Sequence, residues 1–218
     1  MFCEAEAGRL PKSTLLTAQW SENYVRPPNG AMHLPAERQP VFNNIRADLT
    51  AHGGSWGAQG FWVLVVYRFG VWRYTVRPAW LRKALSLVYH IIYKLVQIIT
   101  GIELPCETKI GKHFVIDHFG GIIISGYAQF GDHCRVRNGV VVGLKNVDVP
   151  CAPQIGNHVD IGSGAKLLGD IRIGDHVVIG ANAVVLQDVP DWHVAVGVPA
   201  VNKPRRDRPD QSIPTRHE

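Results

Sequence analysis

The 218-residue chain is long enough for one ordinary domain, or a small domain plus an extension, with a sizeable core. Its 46% hydrophobic and 19% charged residues exclude an intrinsically disordered polymer. A formal charge of +5 suits an anionic ligand, a nucleic acid or an acidic membrane surface without choosing among them. No nucleic-acid-binding motif accompanies the charge, and no nucleic acid is expected as a partner.

Residues 1–40 are rich in proline, asparagine and polar residues with no sustained period, and an irregular lead-in is expected there. Their opening, MFCEAEAGRLPKS, has no basic segment followed by an apolar run. That argues against a secretory signal and for a cytoplasmic protein. Cys3, Cys106, Cys134 and Cys151 show no C-x-x-C spacing, so neither a zinc knot nor a disulfide framework is indicated and reduced thiols are expected.

Residues 41–101 read as a helical region built on FWVLVVYRFGVWRY (61–74) and PAWLRKALSLVYHIIYKLVQIIT (78–100). Pro78 suits a first turn and Gly101 a C-terminal cap. The second helix is apolar, but its purest stretch, 84–100, includes His90 and Lys94 and falls short of the roughly 20 apolar residues a membrane span needs. It is expected to pack on the rest of the protein or on a neighbouring subunit. Trp62, Trp72, Trp80 and Arg82 leave open a peripheral contact with the cytoplasmic face of an inner membrane.

From residue 108 an internal repeat appears. Ile110, Ile116, Ile124, Phe130, Val136 and Val142, then Ile155, Ile161, Leu167, Ile173, Ile179 and Val185, recur at six-residue steps. The steps are interrupted by two extra residues before Ile124 and seven before Ile155. Glycine often follows the marked residue, and the fourth residue after it is usually small or aliphatic, as at Ala128, Cys134 and Ala165. An amphipathic helix has a period of 3.6, not six. The pattern describes a chain that turns a corner every six residues and points apolar side chains inward. Twelve steps, three to a coil, predict a parallel β-helix of about four coils over 102–200, with a basic tail at 201–218.

The segments ELPCETKIGKHFVIDHFGGIIISGYAQFGDHCRVRNGVVVGL, IGSGAKLLGDIRIGDHVVIGANAVVLQDVP and VGVPA resemble the hexapeptide-repeat acyltransferases, and among them the serine O-acetyltransferase branch. The resemblance covers 101–200 well and the preceding helices loosely, and it implies a left-handed coil. It also implies an O-acetyltransferase using acetyl-CoA, with His118 in VIDHFGG as the general base that takes a proton from an acceptor hydroxyl. The family's aspartate fifteen residues earlier corresponds to Glu103, which keeps the charge on a longer arm. Glu103 rather than the adjacent Asp117 is therefore expected to orient His118, since neighbours on a strand face opposite sides.

By the same resemblance the chain forms a homotrimer, with acetyl-CoA along the coil edge between subunits. Gly143 would offer a backbone N–H to the thioester oxygen, and Gly164, Ala165, Gly180 and Ala181 would let the pantetheine approach the backbone. Lys203, with Arg205 and Arg206, would meet the CoA phosphates or form a solvated tail. The loop 144–154 would cover the acceptor.

The serine enzymes grip their amino acid through an acidic residue before the helices and an Arg-His pair ending the later loop. This chain has SWGAQG (55–60) and Cys151-Ala152 at those places. With RFGVWRY and the compact helical pair, these departures point to the exopolysaccharide and capsule branch and to a sugar or polysaccharide acceptor, with serine as the alternative. A non-catalytic β-helix scaffold is the alternative of another class; it has no need for a paired carboxylate and imidazole.

Two further histidine patterns carry expectations. His113 and His118 form an H-x4-H pair like that of the γ-class carbonic anhydrases, but the third ligand zinc requires has no candidate upstream except His90 on a helix. No metal is expected. His113, His133, His158 and His176 share one phase of the repeat and should stack along one corner at about 4.8 Å per coil. They form either an inert exposed corner or a pH-sensitive or ligand-contacting stripe.

Overall fold

A computed structural model describes residues 41–146 and 148–206; the lead-in expected at 1–40 and the end of the basic tail lie outside the described residues. Helices α1 (Val41–Ala51), α2 (Gln59–Trp72) and α3 (Ala79–Thr100) come first, with a 3-10 turn (Arg73–Thr75) after α2. α2 and α3 occupy the two segments read as helices from sequence. Pro78, at φ −63°, caps α3 at its start, and Gly101, left-handed at φ 65°, closes it by donating its N–H to Gln97 O.

α1 falls inside the helical region read over 41–101 but outside the two helices named there. What holds it is polar. The Asp48 carboxylate is fully buried and receives Arg68 Nε at 3.0 Å, and Arg68 also donates to the carbonyls of Ile110 and Gly111. One buried cation thus ties α1, α2 and the first coil together.

The expected parallel β-helix follows. Its first face holds β1 (Ile102–Glu103), β4 (Ile122–Ile124), β7 (Val141–Gly143), β10 (Lys166–Leu168) and β13 (Val184–Val185). The second holds β2 (Lys109–Ile110), β5 (Gln129–Phe130), β8 (Gln154–Ile155) and β11 (Arg172–Ile173). The third holds β3 (Val115–Asp117), β6 (Arg135–Arg137), β9 (Asp160–Ile161), β12 (Val178–Ile179) and β14 (His193–Val196), closed by the antiparallel β15 (Val201–Pro204). The coil count is nearer five than the four expected. Counting glycine-marked rungs misses β1, which precedes them, and the closing turn in which Val189 bridges Ile173 and β14 pairs with β12.

The marked aliphatic residues form three inward columns, one of them Ile116, Val136, Ile161, Ile179 and Ala195 in direct register. All are buried. Each valine or isoleucine among them contributes about 1.5–3 kcal/mol of apolar burial, and the small corner residues Ala128, Ala165 and Ala183, at 0% exposure, are small because the chain turns above them. Val63, Leu64 and Tyr67 of α2 and Tyr89 of α3 join the same core as Ile102 and Leu104, so the helices cover the open first coil. Contact is closest at Gly60, where an added Cβ would lie 2.2 Å from the Ile116 carbonyl oxygen.

The opposite side of α3 stays uncovered within one chain. Leu87, Ile91, Leu95, Ile98 and Ile99 are exposed there. Among the described residues no helix is long and apolar enough to cross a membrane. Cys106 and Cys134 are buried free thiols, whereas Cys151 is disulfide-bonded, so the reading of reduced cysteines fails at that position.

The histidine ladder turns the corner between the second and third faces. His113, His133, His158 and His176 are all left-handed, with φ of 55°, 58°, 56° and 57°, a region histidine enters more readily than most residues. Their rings stack at 4.5, 4.7 and 4.7 Å, and Trp192 ends the column 4.2 Å from His176. Arg205 lies over Trp192 and donates to His176 O. The residue before each ring builds a second ladder: Asp132 accepts from Lys112 N, Asn157 from Asp132 N, Asp175 from Asn157 N and Asp191 from Asp175 N.

Desolvation, then the neighbouring His113 and His158, hold the His133 imidazole below its ordinary 6.5, against the opposing pull of Asp132. A base whose folded value is depressed takes up its proton first in the unfolded chain. Stability is therefore whole above pH 6.5 and declines as the pH falls below it. Urea midpoints at pH 7.5 and 5.5 are expected to differ less for His133→Asn, which keeps the left-handed corner, than for the wild type; an equal difference contradicts this.

Candidate functional site

β3 ends at Asp117, and the two residues inserted before Ile124 enlarge the corner between the third and first faces. His118, Gly120 and Gly121 are left-handed there, at φ 63°, 98° and 67°. On later coils the same corner is turned by Gly139, Gly164 and Asn182. Gly121 holds the place that Gly139 and Gly164 take on the next coils, and the insertion adds an imidazole beside it. His118 is exposed and makes no hydrogen bond among the described residues.

Its ring stands at a cavity of about 430 Å³ between the α1–α2 segment and β3, whose walls include His52, Gln59, Gly60, Asp117 and His118. His52 Nε2 accepts the Ile116 N–H at 3.3 Å, which assigns the proton to Nδ1 and makes that nitrogen the donor to Asp48 O at 2.7 Å. His52 is therefore a fixed, neutral wall. A second cavity of about 240 Å³ adjoins along Ala51 and Val115 and is walled by His113, His133 and Arg135. At the junction, Arg135 Nη1 meets Asp117 Oδ2 at 2.8 Å.

Glu103 lies in β1, one coil below Ile123, and its Oε2 accepts from Gln97 Nε2 at 3.1 Å, Gln97 in turn receiving Lys94. The structure does not hydrogen-bond Glu103 to His118. Asp117 is turned toward Arg135.

Gly164, Gly180 and Ala181 share the corner edge with His118, at the turns from β9 to β10 and from β12 to β13. Along that edge, a Cβ added at Gly121 would sit 3.5 Å from Gly139 Cα, and one at Gly139 would sit 3.3 Å from Gly164 Cα. Side chains are thus scarce from His118 upward. The other cofactor candidates differ. Ala165 is fully buried with its N–H donated to Gly162 O, so it serves the core. Gly143 ends β7 at the next corner, its carbonyl taken by Gly169 N–H. Lys203 is exposed on β15 opposite Val194, toward the histidine edge, and Arg205 is engaged with Trp192 and His176.

The loop after β7 leaves from the corner opposite β3 and contributes nothing to the wall of either cavity; its residue 147 lies outside the described residues. His113 and His118 stand at opposite ends of β3, on different edges. No group of three or more His, Cys, Asp or Glu among the described residues could hold a metal. Sequence reasoning missed His52 and Arg135, since neither belongs to a motif and each reaches the cavity only through the fold.

Residues 152–187 match the family described as bacterial transferase hexapeptide (six repeats). Serine acetyltransferase from Synechococcus elongatus is 36% identical over 141 residues, covering 64% of this chain and 55% of that one. Serine acetyltransferase from Staphylococcus epidermidis is 36% identical over 130 residues, covering 59% and 61%. The chain thus carries hexapeptide repeats and is similar to serine acetyltransferases.

Among solved structures, serine acetyltransferase from Brucella abortus superimposes on the hexapeptide-repeat protein with a TM-score of 0.66 at 23% identity, covering 75% of this chain and 69% of that one. A serine acetyltransferase in complex with CoA does so with a TM-score of 0.63 at 26% identity and the same coverage. The fold is thus the left-handed β-helix of this class. The hexapeptide-repeat protein spans 55–61% of the length of these two sequence relatives.

These relatives overturn the expectation of an exopolysaccharide or capsule branch, and with it the sugar acceptor. That expectation rested on residues 55–60 and 151–152; of these, 55–58 and 151–152 lie in connecting segments, and such segments vary more freely than the rungs they join.

Proposed function

We propose that the hexapeptide-repeat protein transfers the acetyl group of acetyl-CoA to the hydroxyl of serine, with His118 as general base. The observation that carries this reading is the display of an unpaired imidazole at once on the wall of an open cavity and at the end of a side-chain-poor edge. The cavity is ample for a small amino acid, and the edge suits an extended thin chain such as pantetheine. When bound, acetyl-CoA supplies the thioester carbonyl. His118 accepts the serine proton as the hydroxyl oxygen attacks, which keeps charge from building on the alcohol, and returns it to the departing sulfur. Glu103, one coil below, favours the imidazolium that forms, and moving its carboxylate from Gln97 to the ring completes the orientation.

The supporting assembly is a homotrimer in a cytoplasmic setting. The loop 144–154 leaves from a different corner than His118, so a loop covering this acceptor site comes from a neighbouring copy. The exposed apolar side of α3 is a face that such packing buries.

Release of CoA thiol from acetyl-CoA should depend on L-serine and not on simple sugars or extracted polysaccharide, from a sample whose mass in solution is that of three chains. Sugar-dependent release without serine-dependent release contradicts the proposal.

A further inference from the structure

The positions at which serine would be gripped by resemblance are uncharged here, at 55–60 and at Cys151-Ala152, yet a free amino acid brings an ammonium and a carboxylate that both need partners. We infer that Arg135, together with Asp117, forms the subsite for these two charges, with Arg135 binding the acceptor carboxylate. This rests on the serine reading above.

The two ion pairs on the outer side of the third face show why. Arg137 meets Asp160 through both Nη1 and Nη2, one to each carboxylate oxygen, and also reaches the Ile161 carbonyl. In that pair both carboxylate oxygens are taken, and it ties β6 to β9. Arg135 touches Asp117 through a single bond, Nη1 to Oδ2. Among the described residues, Asp117 Oδ1 and the Nη2 and Nε of Arg135 have no partner. Both side chains reach solvent, at 28% and 45% exposure, and both face the joined cavities, Asp117 beside His118 and Arg135 next to Ala51 and Val115.

A carboxylate edge open on one side and a guanidinium edge open on the other are the complement of a zwitterion. The amino acid's ammonium takes Oδ1 while its carboxylate takes the Nη2–Nε edge, the planar fork that suits a carboxylate. The existing ion pair persists and holds the two halves in register. The hydroxyl is left for His118, the residue after Asp117.

The test is a substrate–variant cycle on the full chain, using L-serine and serinamide, which keeps hydroxyl and ammonium but lacks the carboxylate. Arg135→Gln should raise the KM for L-serine about 10- to 100-fold, the usual weight of a lost charge-assisted hydrogen bond, with kcat little changed, and should leave the KM for serinamide where it was. Arg135→Lys should recover part of the loss. Arg137→Gln should lower the melting temperature without changing either KM.

Wild-type turnover of serine with an unchanged KM in Arg135→Gln overturns the subsite and leaves the serine reading standing. Equal rises for serine and serinamide overturn it too, since they report general distortion. A wild type that does not turn serine over takes down the serine reading, and this inference with it.

Discussion

His118→Ala is expected to lower kcat for acetyl transfer to serine by about 10²- to 10⁴-fold, the range for a lost general base, while the folded state survives. The ring is exposed and unbonded among the described residues, so its removal leaves no cavity and no orphaned partner. One side effect needs a control. Residue 118 is left-handed, at φ 63°, and alanine pays about 1 kcal/mol or more there. His118→Asn keeps a residue suited to that conformation and should lose the same activity with an unchanged melting temperature. Retained activity in both variants would remove His118 from the chemistry.

The largest expected effect on stability is at the buried pair that holds α1. Arg68→Met should cost about 3–5 kcal/mol, because it leaves the Asp48 carboxylate buried without its cation. Burial already pushes the Asp48 carboxyl up, against the lowering pull of Arg68. Replacing both partners, Asp48→Leu with Arg68→Met, should recover much of the loss, since a well-packed apolar pair carries no desolvation cost. Urea unfolding of the two variants measures this; a single variant as stable as the wild type would show that α1 is held by something else. Because His52 directly follows α1 and accepts the Ile116 N–H, the single variant should also disturb the cavity wall.

The coil was legible in the sequence because its physics is local and repeated. Ile116, Val136 and Ile161 each mark an inward position at the same phase, and glycine or a small residue marks each corner, so the period states the shape. The G-x-H steps predicted a stacked column for the same reason. The coil count ran low at the ends, where β1 and Val189 lack the glycine that identifies a rung.

What stayed illegible depends on contacts between distant segments. α1 is tied in place by Asp48 reaching Arg68, a contact across 20 residues that no local pattern announces. The diagonal contact from Asp117 to Arg135 crosses from one coil to the next, and nothing in the spacing says whether such a pair is closed like Arg137 with Asp160 or open on one side. The acceptor was misjudged because charge was sought at loop positions, while the charges facing the cavity are on rungs. Glu103, placed by its distance from His118, is held by Gln97, a residue of the preceding helix with no repeat to announce it.

The most direct test of the account is product analysis after incubating the full chain with acetyl-labelled acetyl-CoA and L-serine. The account predicts labelled O-acetylserine in amounts matching the CoA thiol released, and almost none with His118→Asn. Thiol release without O-acetylserine, or equal product from His118→Asn, would contradict it.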